Sequence, residues 1–101
     1  MLNWLSNLFS KPDIVGYLNR HAVVLDVRSP AEFQRGHLKG SKNIPLDQIG
    51  QQIDTIRSWN KPVIACCRSG NRSGMASRRL KKAGIDVING GSWQNVARHC
   101  S

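Results

Sequence analysis

Two short apolar runs, Ala22 to Val27 and Pro62 to Cys67, constrain the fold more than any other feature of the sequence. Each is rich in β-branched side chains and nearly continuous in hydrophobicity, the pattern of a strand covered on both faces. Such strands need helices above and below them, so the runs predict a parallel sheet with helical crossovers. A third run, Asp86 to Ile88, meets Asn89-Gly90-Gly91. That tripeptide is a strong turn signal, so a short strand beside the other two is expected to end there.

The segments between the runs carry helix signals. Helices are expected over Pro12 to Arg20, Ser29 to Arg35, Leu46 to Trp59 with Ile49, Ile53 and Ile56 on one face, Asn71 to Ala83 with Met75 and Leu80 inward, and Ser92 to about His99. Ser29 before Pro30, with Glu32 three residues on, reads as an N-cap, a proline at the first helical position and a capping box. Gly84 reads as a helix stop. Alternating strands and helices imply right-handed crossovers and an α/β fold with a mainly parallel central sheet and helices on both faces. A chain of 101 residues supports one hydrophobic core, so residues 1–101 read as a single domain, with 1–10 an N-terminal extension or short helix. Trp4, Phe33 and Trp59 read as core or half-buried anchors.

Charge and cysteine usage narrow the function. Fifteen Lys and Arg against six Asp and Glu give a net charge of +9, which favours anionic ligands, acidic partners, nucleic acid or an anionic membrane surface without choosing among them. Much of it falls on Arg78, Arg79, Lys81 and Lys82, read as the solvated face of a helix. Aromatic residues are not interleaved with these bases, so no nucleic-acid partner is expected. Cys66, Cys67 and Cys100 are odd in number and two are adjacent, unlike a disulfide framework, which points to a reducing compartment. There is no Cys-x-x-Cys, and His21, His37 and His99 are scattered, so no metal is expected. The stretch Met1 to Phe9 lacks the parts of a signal peptide, and no segment approaches the ~20 apolar residues of a membrane span. A soluble cytoplasmic protein is the expectation.

In an open α/β sheet, ligands bind beyond the carboxyl ends of the strands. Two segments lie there: Asp26-Val27-Arg28 after the first strand, and Cys67-Arg68-Ser69-Gly70-Asn71-Arg72-Ser73 after the second. The second places a thiol at the end of a buried strand, then a glycine-containing loop, then a helix N-terminus. Converging amides and the helix dipole favour an anion there, and Arg68 and Arg72 add charge, so Cys67 is expected to be a thiolate and a nucleophile. Adjacent strand residues face opposite ways, which assigns Cys66 to the core.

The stretch Pro62 to Ser73 resembles the active-site strand and loop of the rhodanese family. Leu25-Asp26-Val27-Arg28 with Glu32-Phe33 and Gly36-His37, then Gly40-Ser41 with Asn43-Ile44-Pro45, and finally Gly90-Gly91 with Trp93, resemble that family's other signatures in the same order. The resemblance implies a rhodanese-like three-layer fold and a two-step sulfur transfer: Cys67 takes the outer sulfur of a small anionic donor such as thiosulfate, and a thiol or cyanide acceptor removes it. It implies no metal or organic cofactor. It gives the amides of Arg68, Ser69, Gly70, Asn71 and Arg72 the role of holding the persulfide, with Asp26, Arg28 and Ser73 supporting the loop and Asp26 bonding loop amides or Arg72. The local alternative is an Arg28 to Glu32 pair at helical spacing. His37 and Trp93 read as structural, and Cys100 as a terminal residue able to resolve the persulfide if the last helix folds over the loop. Two other functions stay open. One is a sulfur-relay or binding module for an acidic partner protein. The other is a phosphatase or arsenate-reductase-like enzyme, since five residues separate Cys66 from Arg72; the four between Cys67 and Arg72, and the lack of a His before Cys66, speak against it.

Overall fold

The computed structural model describes residues 12–100; the expectations for segment 1–10 and Trp4 lie outside them. Strands β1 (Val23–Asp26), β2 (Lys42–Asn43), β3 (Val63–Cys67) and β4 (Val87–Ser92) form a parallel sheet in the order β2-β1-β3-β4. Helices α1 (Ile14–Asn19), α2 (Pro30–Gln34), α3 (Ile53–Ser58), α4 (Asn71–Lys82) and α5 (Trp93–His99) connect and cover them.

Strand alternation sorts the apolar side chains into two cores. Val63, Ala65 and Cys67 face a layer that includes Ile49, Ile56, Ala76 and Leu80. Ile64 and Cys66 point the other way, toward Ile14 of α1 and Val96 of α5. The expected three layers are therefore present. The expected capping box at the start of α2 is formed in full by Ser29 and Glu32. Away from the loop after β3, Tyr17 and Arg20 both donate to Asp86, tying the end of α1 to the start of β4. Among the described residues no helix is long and apolar enough to cross a membrane.

The structure departs from the sequence expectations in four places. Lys42–Asn43 adds a short edge strand that carries no hydrophobic pattern; it is held by pairing with Leu25 and Asp26 and by the Asn43 amide donating to the Asp26 and Arg28 carbonyls. The expected helix from Leu46 to Trp59 is a 3-10 helix over Leu46–Gln52 followed by α3. Gly50, a poor α-helix former, lies in the 3-10 part. Met75 is 52% exposed, not inward. Leu80 is buried as expected, but the rest of the buried face of α4 is Ser73, Ala76 and Ser77, small side chains that let the helix lie close to the sheet and that apolar periodicity does not mark.

The fourth departure shapes the site. β4 does not end at Asn89-Gly90-Gly91 but runs through it to Ser92. Ala65 pairs with Asn89 and Cys67 with Ser92, so Cys66 alone faces Gly90 and Gly91, a bulge beside the loop. Gly91 takes the left-handed conformation this needs (φ 83°). Gly90 is required for space: a Cβ there would lie 2.6 Å from Val96 Cγ2 and 2.7 Å from Ile64 Cγ2. Gly90→Ala is expected to destabilise the fold by about 1–3 kcal/mol, the usual cost of overpacking; an unchanged midpoint in urea unfolding would contradict this packing account.

Candidate active site

The carboxyl ends of β1 and β3 lie side by side, with Asp26 paired to Cys66 in the sheet register. Cys67 is the last residue of β3 and is 1% exposed. The chain then turns through Gly70 in the left-handed conformation (φ 102°) and enters α4. This turn brings donors back onto the sulfur. Cys67 Sγ accepts from the Gly70 amide at 3.0 Å, the Ser73 amide at 3.4 Å and the Ser73 hydroxyl at 3.3 Å. Burial alone pushes the thiol pKa up, but the Ser73 hydroxyl and the amides of Ser73, Ser69 and Gly70 outweigh it, and the net shift is downward. The N-terminus of α4 adds its dipole in the same sense.

The adjacent cysteine behaves in the opposite way. Cys66 is fully buried on the other face of the sheet, where burial and then the neighbouring Asp26 carboxylate push its pKa up to about 12. It stays a neutral thiol. One strand thus presents two sulfurs, of which only Cys67 meets hydrogen-bond donors.

The charged residues pair differently from the expectation. Asp26 does not bond the loop amides or Arg72. Its buried carboxylate accepts from Arg28 Nε, from Arg28 Nη2 at 2.8 Å and from the Arg28 amide. Arg28 in turn donates to the Glu32 and Gly36 carbonyl oxygens and lies over the Trp93 ring at 5.3 Å. The Arg28–Glu32 side-chain pair is likewise absent, because the Glu32 carboxylate is committed elsewhere. It caps α2 and takes both terminal nitrogens of Arg72, at 2.6 and 3.0 Å. Arg72 is the first cause, and Ser29 the second, of a Glu32 pKa held down at about 2. With Arg72 paired in this way, dipoles rather than a free guanidinium hold the sulfur.

Asn89 is the residue that sequence reading passed over. Its Nδ2 donates to the Gly70 carbonyl at 3.0 Å, while Oδ1 accepts from the Gly91 amide at 3.0 Å and from the Ser73 hydroxyl at 2.7 Å. One side chain therefore clamps the loop, the bulge and a sulfur ligand together. Asn before Gly-Gly reads as turn chemistry, and nothing else in the sequence marked it. Ser73 has a single hydroxyl hydrogen, so it serves either Asn89 or the sulfur at one time. Arg68, Ser69 and Asn71 are exposed at the rim. His37 is bonded to the Phe33 carbonyl and stacked on the Phe33 ring, which is a structural role. Cys100 Sγ is bonded to the Val96 carbonyl at the end of α5.

The chain belongs to the rhodanese-like domain family, whose family model matches residues 1–98. It is similar to YqhL of Bacillus subtilis (46% identical over 69 residues, 68% of this chain), and spans about half of that relative's length, 54%. Thiosulfate sulfurtransferase PspE of Escherichia coli is 35% identical over 75 residues, which cover 72% of each chain. A solved structure described as rhodanese with anions from E. coli is 33% identical, with a TM-score of 0.68 over 75% of this chain and 92% of that one.

Two pH effects follow from the geometry. Ser73→Ala removes a hydrogen bond to the Cys67 thiolate, so the midpoint of iodoacetamide alkylation at Cys67 against pH is expected to rise above that of the unaltered protein. A second effect concerns folding. The Glu32 pKa is lowered from 4.5 to about 2, so its stabilisation is complete above about 4.5 and is lost as pH falls toward about 2. Urea midpoints measured across that window should fall less steeply in Glu32→Gln.

Proposed function

We propose that this rhodanese-like chain is a sulfurtransferase that carries one sulfane sulfur on Cys67. The observation that carries the reading is a buried Cys67 sulfur that accepts from the Gly70 and Ser73 amides and lies within reach of the Ser73 hydroxyl at the mouth of a helix. The likeness to a relative named as a thiosulfate sulfurtransferase supports thiosulfate as the donor. In the first step the Cys67 thiolate attacks the outer sulfur of thiosulfate; a new S–S bond forms, the donor's S–S bond breaks, and sulfite leaves with its electron pair. In the second, an acceptor thiolate or cyanide attacks the outer sulfur of the persulfide and releases Cys67 as thiolate. Charge balances in both steps, and neither needs an outside oxidant. This is covalent catalysis through an activated nucleophile.

The chain's own groups supply the rest. Amides along Arg68, Ser69, Gly70, Asn71 and Arg72 would hold the persulfide and the charge that develops on it, with no reorganisation at the moment of reaction. Ser73 adds a hydroxyl donor that can follow the charge. Asp26 and Arg28 tie the end of β1 to α2, and Arg72 holds the loop to α2 through Glu32. The phosphatase reading fits this arrangement poorly. It requires Cys66 as nucleophile, yet that sulfur is buried on the opposite face and remains protonated, and it requires an arginine free to hold phosphate where Arg72 is bound twice by Glu32.

Intact-protein mass spectrometry after incubation with thiosulfate tests the reading. A reducible gain of ~32 Da, one sulfur held covalently, is expected in the unaltered protein and in Cys66→Ser, and not in Cys67→Ser. Loss of the adduct in Cys66→Ser alone would assign the chemistry to the other cysteine. If the adduct forms only from a persulfide protein donor and never from thiosulfate, a relay module is the better description.

A further inference from the structure

The side chain of Asn89 is held by backbone groups on two sides. Its Nδ2 donates to the Gly70 carbonyl, which also accepts the Gly74 amide, and its Oδ1 accepts from the Gly91 amide. Turning the side-chain amide over would set nitrogen against the Gly91 N–H and oxygen against the Gly70 carbonyl, so these two contacts fix which end is which. The atom that meets Ser73 is therefore an oxygen, able only to accept. Ser73 Oγ lies 2.7 Å from that oxygen and 3.3 Å from Cys67 Sγ, and the residue is fully buried. Its one hydrogen thus has two acceptors in reach and no access to bulk water. A buried donor left without a partner is costly, so the hydrogen belongs to Asn89 whenever the sulfur is a poor acceptor.

Sulfur transfer takes Sγ through both conditions. As a thiolate it is charged and the stronger acceptor. As the inner atom of a persulfide it is neutral, and the charge sits on the outer sulfur. Resting on the Cys67 persulfide reading, we propose that Asn89 is a positioning residue for sulfur transfer, its fixed carbonyl holding the Ser73 hydrogen while Cys67 bears the extra sulfur and releasing it when charge returns to Sγ. In the first step Sγ bonds the outer sulfur of thiosulfate, sulfite leaves with the electron pair of the broken S–S bond, and the hydroxyl turns to Asn89. In the second, the acceptor thiolate bonds the outer sulfur, the pair of the broken Cys67 S–S bond returns to Sγ, and the hydroxyl turns back. Asn89 thereby favours the loaded sulfur over the free thiolate. The titratable and charged groups around the sulfur stay out of this exchange. Cys66 of β3 remains a neutral thiol, Asp26 of β1 is paired with Arg28, Arg72 of α4 is paired with Glu32 of α2, and Arg68 is exposed at the rim. On β4, Asn89, Gly90, Gly91 and Ser92 carry no charge.

A double-substitution cycle on the full chain tests this, read as the pH midpoint of iodoacetamide alkylation at Cys67. Asn89→Ala strips the uncharged states of Sγ of their alternative acceptor, so the midpoint is expected to fall by about half a pH unit, the size of a modest hydrogen bond. The ratio of sulfur-loaded to free Cys67 at fixed thiosulfate and sulfite should fall about 3-fold for the same reason. In the Ser73→Ala background the same substitution should move neither quantity, because Asn89 acts through the Ser73 hydroxyl. An Asn89 that only clamps the loop predicts the reverse, a midpoint raised in both backgrounds. That result, or no change in either, overturns the proposal. If Asn89→Ala does not fold, the unaltered protein supplies a second reading in the nuclear magnetic resonance of the Asn89 side-chain carbonyl carbon against pH. That carbon is expected to shift with the Cys67 midpoint and to stay still in Ser73→Ala; equal shifts in the two proteins would overturn the proposal as well. Neither pH measurement requires a persulfide. Their failure alongside an intact sulfur adduct sinks only the role of Asn89, whereas their success with no adduct from any donor removes that role and the persulfide reading together.

Discussion

The whole site depends on holding an electron-rich sulfur in a nearly dry position by hydrogen bonds instead of by an adjacent full charge. A thiolate buried at the end of β3 loses its hydration, and burial by itself would return the proton. Three donors from two residues reverse that balance. Their convergence requires the chain to double back within a few residues of Cys67, which in turn requires Gly70 in the left-handed region. It also requires the loop to rest closely on β4, since a side chain at Gly70 would come within 3.3 Å of Gly91 Cα. The bulge in β4 therefore belongs to the sulfur site as much as the loop does: it brings Gly91 under the turn and aims Asn89 into it.

The ion pairs around this cradle serve geometry more than stability. Asp26 and Arg28 are both nearly inaccessible, and a buried pair of this kind roughly offsets its own desolvation. What it adds is direction. The bidentate contact fixes Arg28 so that its remaining donors reach the Glu32 and Gly36 carbonyls, joining the end of β1 to the middle of α2 and to the residue just past its C-cap. Glu32 then joins α2 to α4 through Arg72. Strand end, short helix and loop become one connected frame, so the amides that face the sulfur are held in place before any ligand arrives.

Much of this was legible in the sequence, and what was missed has a consistent physical character. The buried strands announced themselves because β1 and β3 are apolar on both faces, and strand alternation put Cys67 and Cys66 on opposite faces. The capping box of α2 was equally plain, since Ser29, Pro30 and Glu32 act within one turn. Pairings over long sequence distance were not. Nothing local says that Glu32 belongs to Arg72, 40 residues on, or that Asp26 would take Arg28 and leave Arg72 to another partner. The inward face of α4 was misjudged at Met75 because small polar residues, not large apolar ones, permit the close approach of that helix. Asn89-Gly90-Gly91 was taken for the end of a strand, because the same residues that make a turn also make a bulge.

The pairing of Arg72 with Glu32 also bears on which chemistry the loop can accept. In the phosphatase pattern the arginine that closes the loop must be free to hold the tetrahedral group, whereas here that residue, Arg72, is taken by Glu32 and the groups that reach the sulfur are amides and one hydroxyl. Neutral dipoles suit a single negative charge on a polarisable atom, and the loop's unpaired guanidinium, Arg68, is exposed at the rim and does not bond the sulfur.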